Sequence, residues 1–206
     1  MLLAIDSSTG TSVAVVDRDG GILAERTLAD TMSHAEVVGS ALREVMQEAG
    51  VTASALSGVV AGMGPGPFTG LRIGIAAARV FALAAGKPLV PLVSHDAVAF
   101  DWYRSGNTGG LLVVTDARRR ELYWSAYSGT DENGIPVRVE GPGLSKPDDL
   151  GHGDLFRLDA TTVSAGALGM LGELLYATGG SFAADEALYL RSPDAVPSLG
   201  AKRVTA

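Results

Sequence analysis

Two short stretches carry residue types able to handle a phosphate group. The first is Asp6-Ser7-Ser8-Thr9-Gly10-Thr11, at the end of an apolar run. A carboxylate beside a Gly/Ser/Thr turn between two strands suits phosphoryl transfer: Asp6 would hold a metal-bound water, and Ser7, Thr9 and Gly10 would touch phosphate. The alternative is a tight hairpin whose polar groups satisfy one another. The second stretch is Gly64-Pro65-Gly66-Pro67-Phe68-Thr69-Gly70-Leu71-Arg72-Ile73-Gly74, between a short buried strand and an apolar, alanine-rich helix. Phosphate-gripping corners aim consecutive backbone N–H groups at the anion, and a P-loop adds a lysine. Here Pro65 and Pro67 have no N–H, and Leu71-Arg72 follow Gly70 in place of Lys-Ser. Gly64, Pro65, Gly66, Pro67, Thr69, Gly70 and Arg72 therefore read as a structural corner of fixed shape.

Asp116 closes a second apolar run, and the turn after it is Ala117-Arg118-Arg119-Arg120. That turn has no glycine, and three bulky cations stand where backbone would have to approach a phosphate. A paired nucleotide clamp is not expected, so Asp6, Ser7, Thr9, Gly10 and Asp116 are read as a vestigial phosphate loop or a residual nucleotide contact. Arg118, Arg119 and Arg120 form the densest basic cluster, either a solvated hairpin tip or a contact for RNA phosphate or an acidic partner. Tyr123, Trp124 and Tyr127 follow, for sheet packing or base stacking. His34 stands two residues before Glu36, but His95 and His152 are the only other histidines and none has zinc-ligand spacing, so no metal site is expected. Glu36 is explained by a capping box with Ser33. There is no Gly-x-Ser-x-Gly elbow. The absence of cysteine removes disulfides, thiolate metal sites and cysteine nucleophiles.

Strands are predicted over 2–6, 12–17, 22–27, 57–63 and 88–93, with helices over 33–49, 69–85 and 94–103. A Gly/Ser/Asn linker at 105–110 follows, and beyond it the opening pattern recurs: strands at 112–116 and 121–127, the first ending in aspartate like its counterpart. Such self-similarity implies internal duplication. The stretch 128–147 reads as turns with one edge strand near 137–139, then a helix at 165–177 and an extended tail from 189. The 206 residues are 47% hydrophobic and 19% charged with net charge −7, a globular composition unsuited to unaided capture of a polyanion. The start of the chain has no basic n-region. The longest apolar run, 73–85, is broken by Arg79 and is shorter than a bilayer span. A cytoplasmic protein without a membrane anchor is expected. The helices at 33–49 and 69–85 are the most consequential surfaces: the second is apolar on two sides, which is either burial in the core alone or a leftover patch that marks a partner site.

Five segments in order, Met1 to Thr9, Ser33-His34-Ala35-Glu36, Gly64 to Gly74, Thr115 to Trp124 and Tyr189-Leu190-Arg191, resemble the bacterial TsaB family, also called YeaZ. The resemblance implies an α/β, two-lobed actin-like fold (sugar kinase/Hsp70/actin, RNase H-like) with duplicated β-hairpin openings. Residues 1–104 would form the N-terminal lobe with the partner-binding helices, and 105–206 a second lobe, compressed relative to the family. It further implies a non-catalytic scaffold or activator for N6-threonylcarbamoyladenosine at position 37 of tRNA, a degenerate paralogue of TsaD. Such a subunit pairs with TsaD, is joined by the ATPase TsaE, pairs with itself when alone, and meets tRNA only through the complex. The partner face would comprise His34, Val37, Val38, Ala41, Leu42, Val45, Ile73, Ala77, Val80 and Phe81. No cofactor of its own is implied, since ATP and metal belong to the partner subunits; the catalytic paralogue's metal site uses a histidine pair, and only His34 stands in the matching region. The competing readings are an acetate- or sugar-kinase-like phosphotransferase using Asp6 and Asp116, and a glycoprotease-like peptidase.

Overall fold

In the computed structural model, which describes residues 1–28 and 34–191, the chain opens with an antiparallel meander of Leu2–Asp6 (β1), Thr11–Asp17 (β2) and Gly21–Leu28 (β3). His34–Glu48 (α1) leads to Gly58–Gly62 (β4), Phe68–Ala85 (α2), Leu89–Leu92 (β5) and Ser94–Arg104 (α3). The first sheet has the order β3-β2-β1-β4-β5, with β1, β4 and β5 parallel. Its central strands are apolar over Leu2–Ile5, Val13–Val16 and Val59–Ala61 because both faces are covered there. Leu3, Ile5, Val13 and Val15 face α1 and α2, whereas Leu2, Ala4, Ala14 and Val16 face the other side.

A second sheet follows from Leu111–Asp116 (β6), Leu122–Thr130 (β7), Pro136–Ser145 (β8) and Phe156–Asp159 (β9), in the order β8-β7-β6-β9. This repeats the β3-β2-β1-β4 arrangement, antiparallel meander and parallel fourth strand included, so the duplication read from the sequence is a duplicated sheet and the fold is the expected α/β type with two sheets that each open on a β-hairpin. Two elements differ from expectation. β8 runs for ten residues where only a short edge strand was predicted; it lies at the sheet edge, where Pro142 is tolerated without an N–H to donate, and its register with β7 shifts to absorb the irregularity. β9 was not predicted, being four residues long with only Leu158 packed against a core. The expected cap residue Ser33 lies outside the described residues.

After the second sheet, Ala165–Thr178 (α4) returns to pack on β1, β2 and β3. Ser12 Oγ accepts from Ala165 N, Glu25 Oε1 accepts from Gly166 N, and Ser164 Oγ accepts from Ala167 N, at 3.0, 3.1 and 2.9 Å; the free amides of the helix start are met by two side chains of the first sheet and by the helix's own cap, Ser164. One hydrophobic core consequently spans both sheets, joining Ala4, Val16 and Val60 to Leu111, Val113 and Tyr127 through α3 and α4. The segment after α4 also returns, with Leu188 N donating to Met63 O at 2.8 Å.

α2, at 18 residues, is by length and composition long enough to cross a bilayer, which the shorter run 73–85 did not suggest. Gly70, Leu71, Gly74, Ile75, Ala78 and Ala82 are nonetheless buried in the protein, and Arg79 binds Asp185 at 2.7 Å.

Three consecutive residues at the start of α3 tie the sheets together. Ser94 bonds into the first sheet through Asp6 (2.5 Å). His95, fully buried, lies between Ser125 Oγ on β7 and Thr115 Oγ1 on β6, both at 2.9 Å. Asp96 accepts from Tyr127 Oη at 2.7 Å and Arg138 Nε at 3.0 Å. A neutral imidazole has one donor and one acceptor, which two hydroxyls satisfy. Burial, aided by the charge of Arg138, pushes His95 down to about 3. Because the native imidazole stays neutral while the unfolded one takes up a proton below 6.5, its contribution is lost on acidification. The stability advantage of the wild type over a His95→Gln variant, measured by urea unfolding, should shrink as pH falls below that value, by up to about 1.4 kcal/mol per pH unit. An advantage independent of pH would contradict a neutral buried imidazole.

Candidate functional site

The turn between β1 and β2 presses into the corner between β4 and α2. Asp6, at the end of β1, is 2% exposed. Its Oδ1 accepts from Ser8 N at 2.8 Å and Ser8 Oγ at 2.6 Å, and its Oδ2 accepts from Ser94 Oγ at 2.5 Å. Ser94 Oγ in turn accepts from Gly64 N at 3.1 Å. Burial pushes the carboxyl above its ordinary value, and the hydrogen bonds from Ser8 and Ser94 oppose the shift. Ser7 Oγ donates to Gly70 O at 2.8 Å. The corner is shaped to receive this turn: a Cβ at Gly62 would lie 1.9 Å from Asp6 Oδ2, one at Gly66 2.8 Å from Ser8 Cα, and one at Gly74 2.1 Å from Ser7 Oγ. Backbone and hydroxyls of the protein fill the concavity in which a phosphate-gripping corner would hold its anion. Pro65, Pro67, Thr69 and Arg72 belong to the same corner, after a cis bond between Gly64 and Pro65. From the second sheet, Tyr123 Oη reaches Gly66 O at 3.3 Å.

Thr9 and Gly10 lie nearer solvent than Asp6 and Ser7. A cleft of about 250 Å³ between the sheets is lined by Ser8, Thr9, Pro67, Asp116, Arg118, Ala160 and Thr161. Asp116 is exposed and turned to its own hairpin, where its Oδ1 accepts from Arg118 N at 2.9 Å. Asp6 and Asp116 thus differ in kind: one carboxylate is buried and hydrogen-bonded, the other solvated. Arg118, Arg119 and Arg120 occupy three successive left-handed positions, with φ of 64°, 51° and 61°. His34 is buried, with Nδ1 2.8 Å from Thr11 Oγ1. Among the described residues, no three His, Asp or Glu side chains converge as a metal site.

The partner face expected on the two helices is narrower than the sequence suggests. His34, Ala41 and Val45 are buried, the last two in the core between α1 and the first sheet; in a 15-residue helix lying flat on a sheet, the middle of the apolar stripe faces inward. Val37, Val38, Leu42, Ile73, Ala77 and Phe81 are half-buried. Val80 and Leu83 are 66% and 83% exposed. Leu83 had not been singled out, although its spacing of three from Val80 puts it on the same helix side. Ser94, His95, Asp96 and Arg138 were also missed as a group; the signal was three polar residues in a row opening an otherwise apolar helix.

If the turn and the corner are one packed unit, Gly74→Ala should lower the unfolding free energy by about 1–3 kcal/mol through overpacking. Combination with Ser7→Gly, which removes the clashing side chain, should recover part of that loss in a urea-unfolding double-mutant cycle. Simple additivity of the two losses would contradict the contact.

The same residues can be compared with known proteins. The family model described as TsaD, tRNA N6-adenosine threonylcarbamoyltransferase, matches residues 5–147. An uncharacterised protein of Mycobacterium leprae is 36% identical over 213 residues, covering 96% of this chain and 56% of that protein, so the chain spans little more than half of that relative. The tRNA threonylcarbamoyladenosine biosynthesis protein TsaB of Escherichia coli is 30% identical over 165 residues, covering 80% of this chain and 70% of the relative. Among solved structures, YeaZ from Pseudomonas aeruginosa superposes with a TM-score of 0.73 at 26% identity, covering 86% of this chain and 92% of that one. On the extent of these matches and on the fold they share, the chain belongs to the TsaB (YeaZ) family.

Proposed function

We propose that this chain is a non-catalytic subunit in the formation of N6-threonylcarbamoyladenosine in tRNA, holding the transferase TsaD in an active arrangement. The single observation that carries the reading is the state of Asp6. The acid that would have to serve a metal or a nucleotide is buried and hydrogen-bonded on both oxygens by Ser8 and Ser94. A phosphate placed at the corner would meet the β1–β2 turn. The continuous core beneath both sheets supports the same reading, because two-lobed enzymes close on substrate by domain motion and a shared core resists it. The phosphotransferase reading is therefore not adopted, and the peptidase reading lacks an exposed nucleophile–base pair among the described residues.

Pairing is assigned to the helical side of the first sheet. α1 and α2 pack side by side, and Val80 and Leu83 stand out from a rim of half-buried Val37, Val38, Leu42, Ile73, Ala77 and Phe81. Two large apolar side chains at this exposure suit an interface centre. TsaE would join the pair, tRNA would be met in the complex, ATP and metal would be held by the partner subunits, and the same face would pair two copies of the chain when TsaD is absent. The site of action is the cytoplasm.

Leu83→Glu, or Val80→Asp, should abolish co-elution with TsaD in size-exclusion chromatography while leaving circular dichroism and thermal unfolding of the chain within about 0.5 kcal/mol of the wild type, as befits exposed positions. Undiminished co-elution of both variants would rule this face out.

A further inference from the structure

One strip of the surface contrasts with the rest of this acidic chain. At the start of α2, Phe68 is 40% exposed, and its ring centroid lies 4.7 Å from that of Tyr189, itself 42% exposed. The guanidinium carbon of Arg72 sits 5.0 Å from the Phe68 centroid. Tyr189 is held there because its neighbour Leu188 is pinned to the corner through Met63 O. Two residues on, Arg191 crosses to the second sheet, where its Nη1 donates to Ala117 O at 3.1 Å and its Nε lies 3.6 Å from Glu121. The strip then ends at Arg118, Arg119 and Arg120, all exposed. Among the described residues it gathers five arginines in a chain of net charge −7, with Asp116 3.8 Å from Arg118 and Glu121 beside Arg191.

The hairpin adds a second, independent point. Three successive left-handed residues without a glycine among them are unfavourable for L-amino acids. Glycine or asparagine would relieve the conformation, yet arginine stands at all three positions, and Arg118 lines the cleft shared with Ser8, Thr9 and Thr161. A tip serving only to reverse the chain has no need of this.

We infer that this strip, from Phe68 and Tyr189 to Arg118–Arg120, is a contact for a single-stranded segment of RNA. Exposed rings beside guanidiniums accept bases by stacking regardless of sequence, and guanidiniums take phosphate oxygens in paired hydrogen bonds. Rings and cations in succession match the alternating bases and phosphates of a single strand, and an acidic protein partner, whose interface could also use both, is an outcome of the test. The choice of RNA rests on the function proposed above. Repulsion from the rest of the chain makes the contact weak alone and strongest at low salt.

The test is fluorescence anisotropy of a labelled single-stranded RNA decamer of mixed sequence, and of its duplex, titrated with the full chain at 25 and 150 mM KCl. The wild type should bind the single strand measurably at 25 mM and at least about fivefold more tightly than the duplex. Arg119→Glu with Arg120→Glu should weaken binding by about tenfold or more and flatten the log–log salt slope by about 1.4. Tyr189→Ala should weaken it by about tenfold with the slope unchanged, and circular dichroism should report all variants folded. Equal binding of strand and duplex, or of variants and wild type, overturns the inference, as does no binding by wild type at 25 mM. Arginine variants that keep RNA but lose co-elution with TsaD would also overturn it, in favour of a protein contact. Leu83→Glu should keep RNA binding while losing TsaD, so failure of the strip and failure of the helix face are separately visible.

Discussion

A carboxylate with almost no access to water sits where four parts of the chain meet. Asp6 ends β1, is wrapped by the β1–β2 turn through Ser8, is bonded to the start of α3 through Ser94, and touches the β4–α2 corner at Gly62. Burying an unmatched carboxylate is strongly unfavourable, so each of those parts has to be in position for the group to be tolerated. Other features follow from that demand. The corner is glycine-rich because side chains would collide with the turn, and Ser94 is fixed because its hydroxyl bridges Asp6 and Gly64 N. Once Ser94 is fixed, His95 and Asp96 are set against Thr115, Ser125, Tyr127 and Arg138 of the second sheet.

That chain of constraints runs from the first turn of the sequence to the second sheet without a flexible joint. With α4 returning beneath the first sheet and a core common to both sheets, the arrangement favours one fixed shape over opening and closing. A phosphotransferase needs the reverse, a hinge and a vacant phosphate pocket. The resources of the fold lie instead on its outside: an apolar helix face at Val80 and Leu83, and an arginine–aromatic strip on the side of the cleft. The two surfaces are distinct in chemistry and in residues.

Much of this could be read from the residue order. The strands at 2–6, 12–17 and 112–116 and the helices at 69–85 and 165–177 carry strong periodicity and clear stops, and they form within a residue or two of the expected bounds. That Pro65 and Pro67 lack the N–H donors of a phosphate cradle was also legible. What the corner holds in its place was not, since the contacts of Gly62 and Gly74 with Asp6 and Ser7 span more than fifty positions in sequence. The inward side of α1 was misjudged at His34, Ala41 and Val45 because a wide apolar stripe does not say which of its edges a sheet will cover. β8 and β9 escaped notice because their glycines, prolines and short length weaken alternation, and pairing with β7 and β6 supplies what local preference lacks. The tie at Ser94, His95 and Asp96 is a tertiary fact altogether: its partners lie 20 to 88 positions away.

The central claim is that this chain is required for a reaction it does not itself catalyse. The most direct measurement is reconstitution of N6-threonylcarbamoyladenosine on a tRNA transcript with TsaD, TsaE and the threonylcarbamoyl-adenylate synthase, with product read by nucleoside mass spectrometry, in reactions containing or omitting this chain and with the chain replacing TsaD. The account predicts modified nucleoside only when the chain and TsaD are both present. Product formed without the chain, or by the chain in place of TsaD, would contradict it.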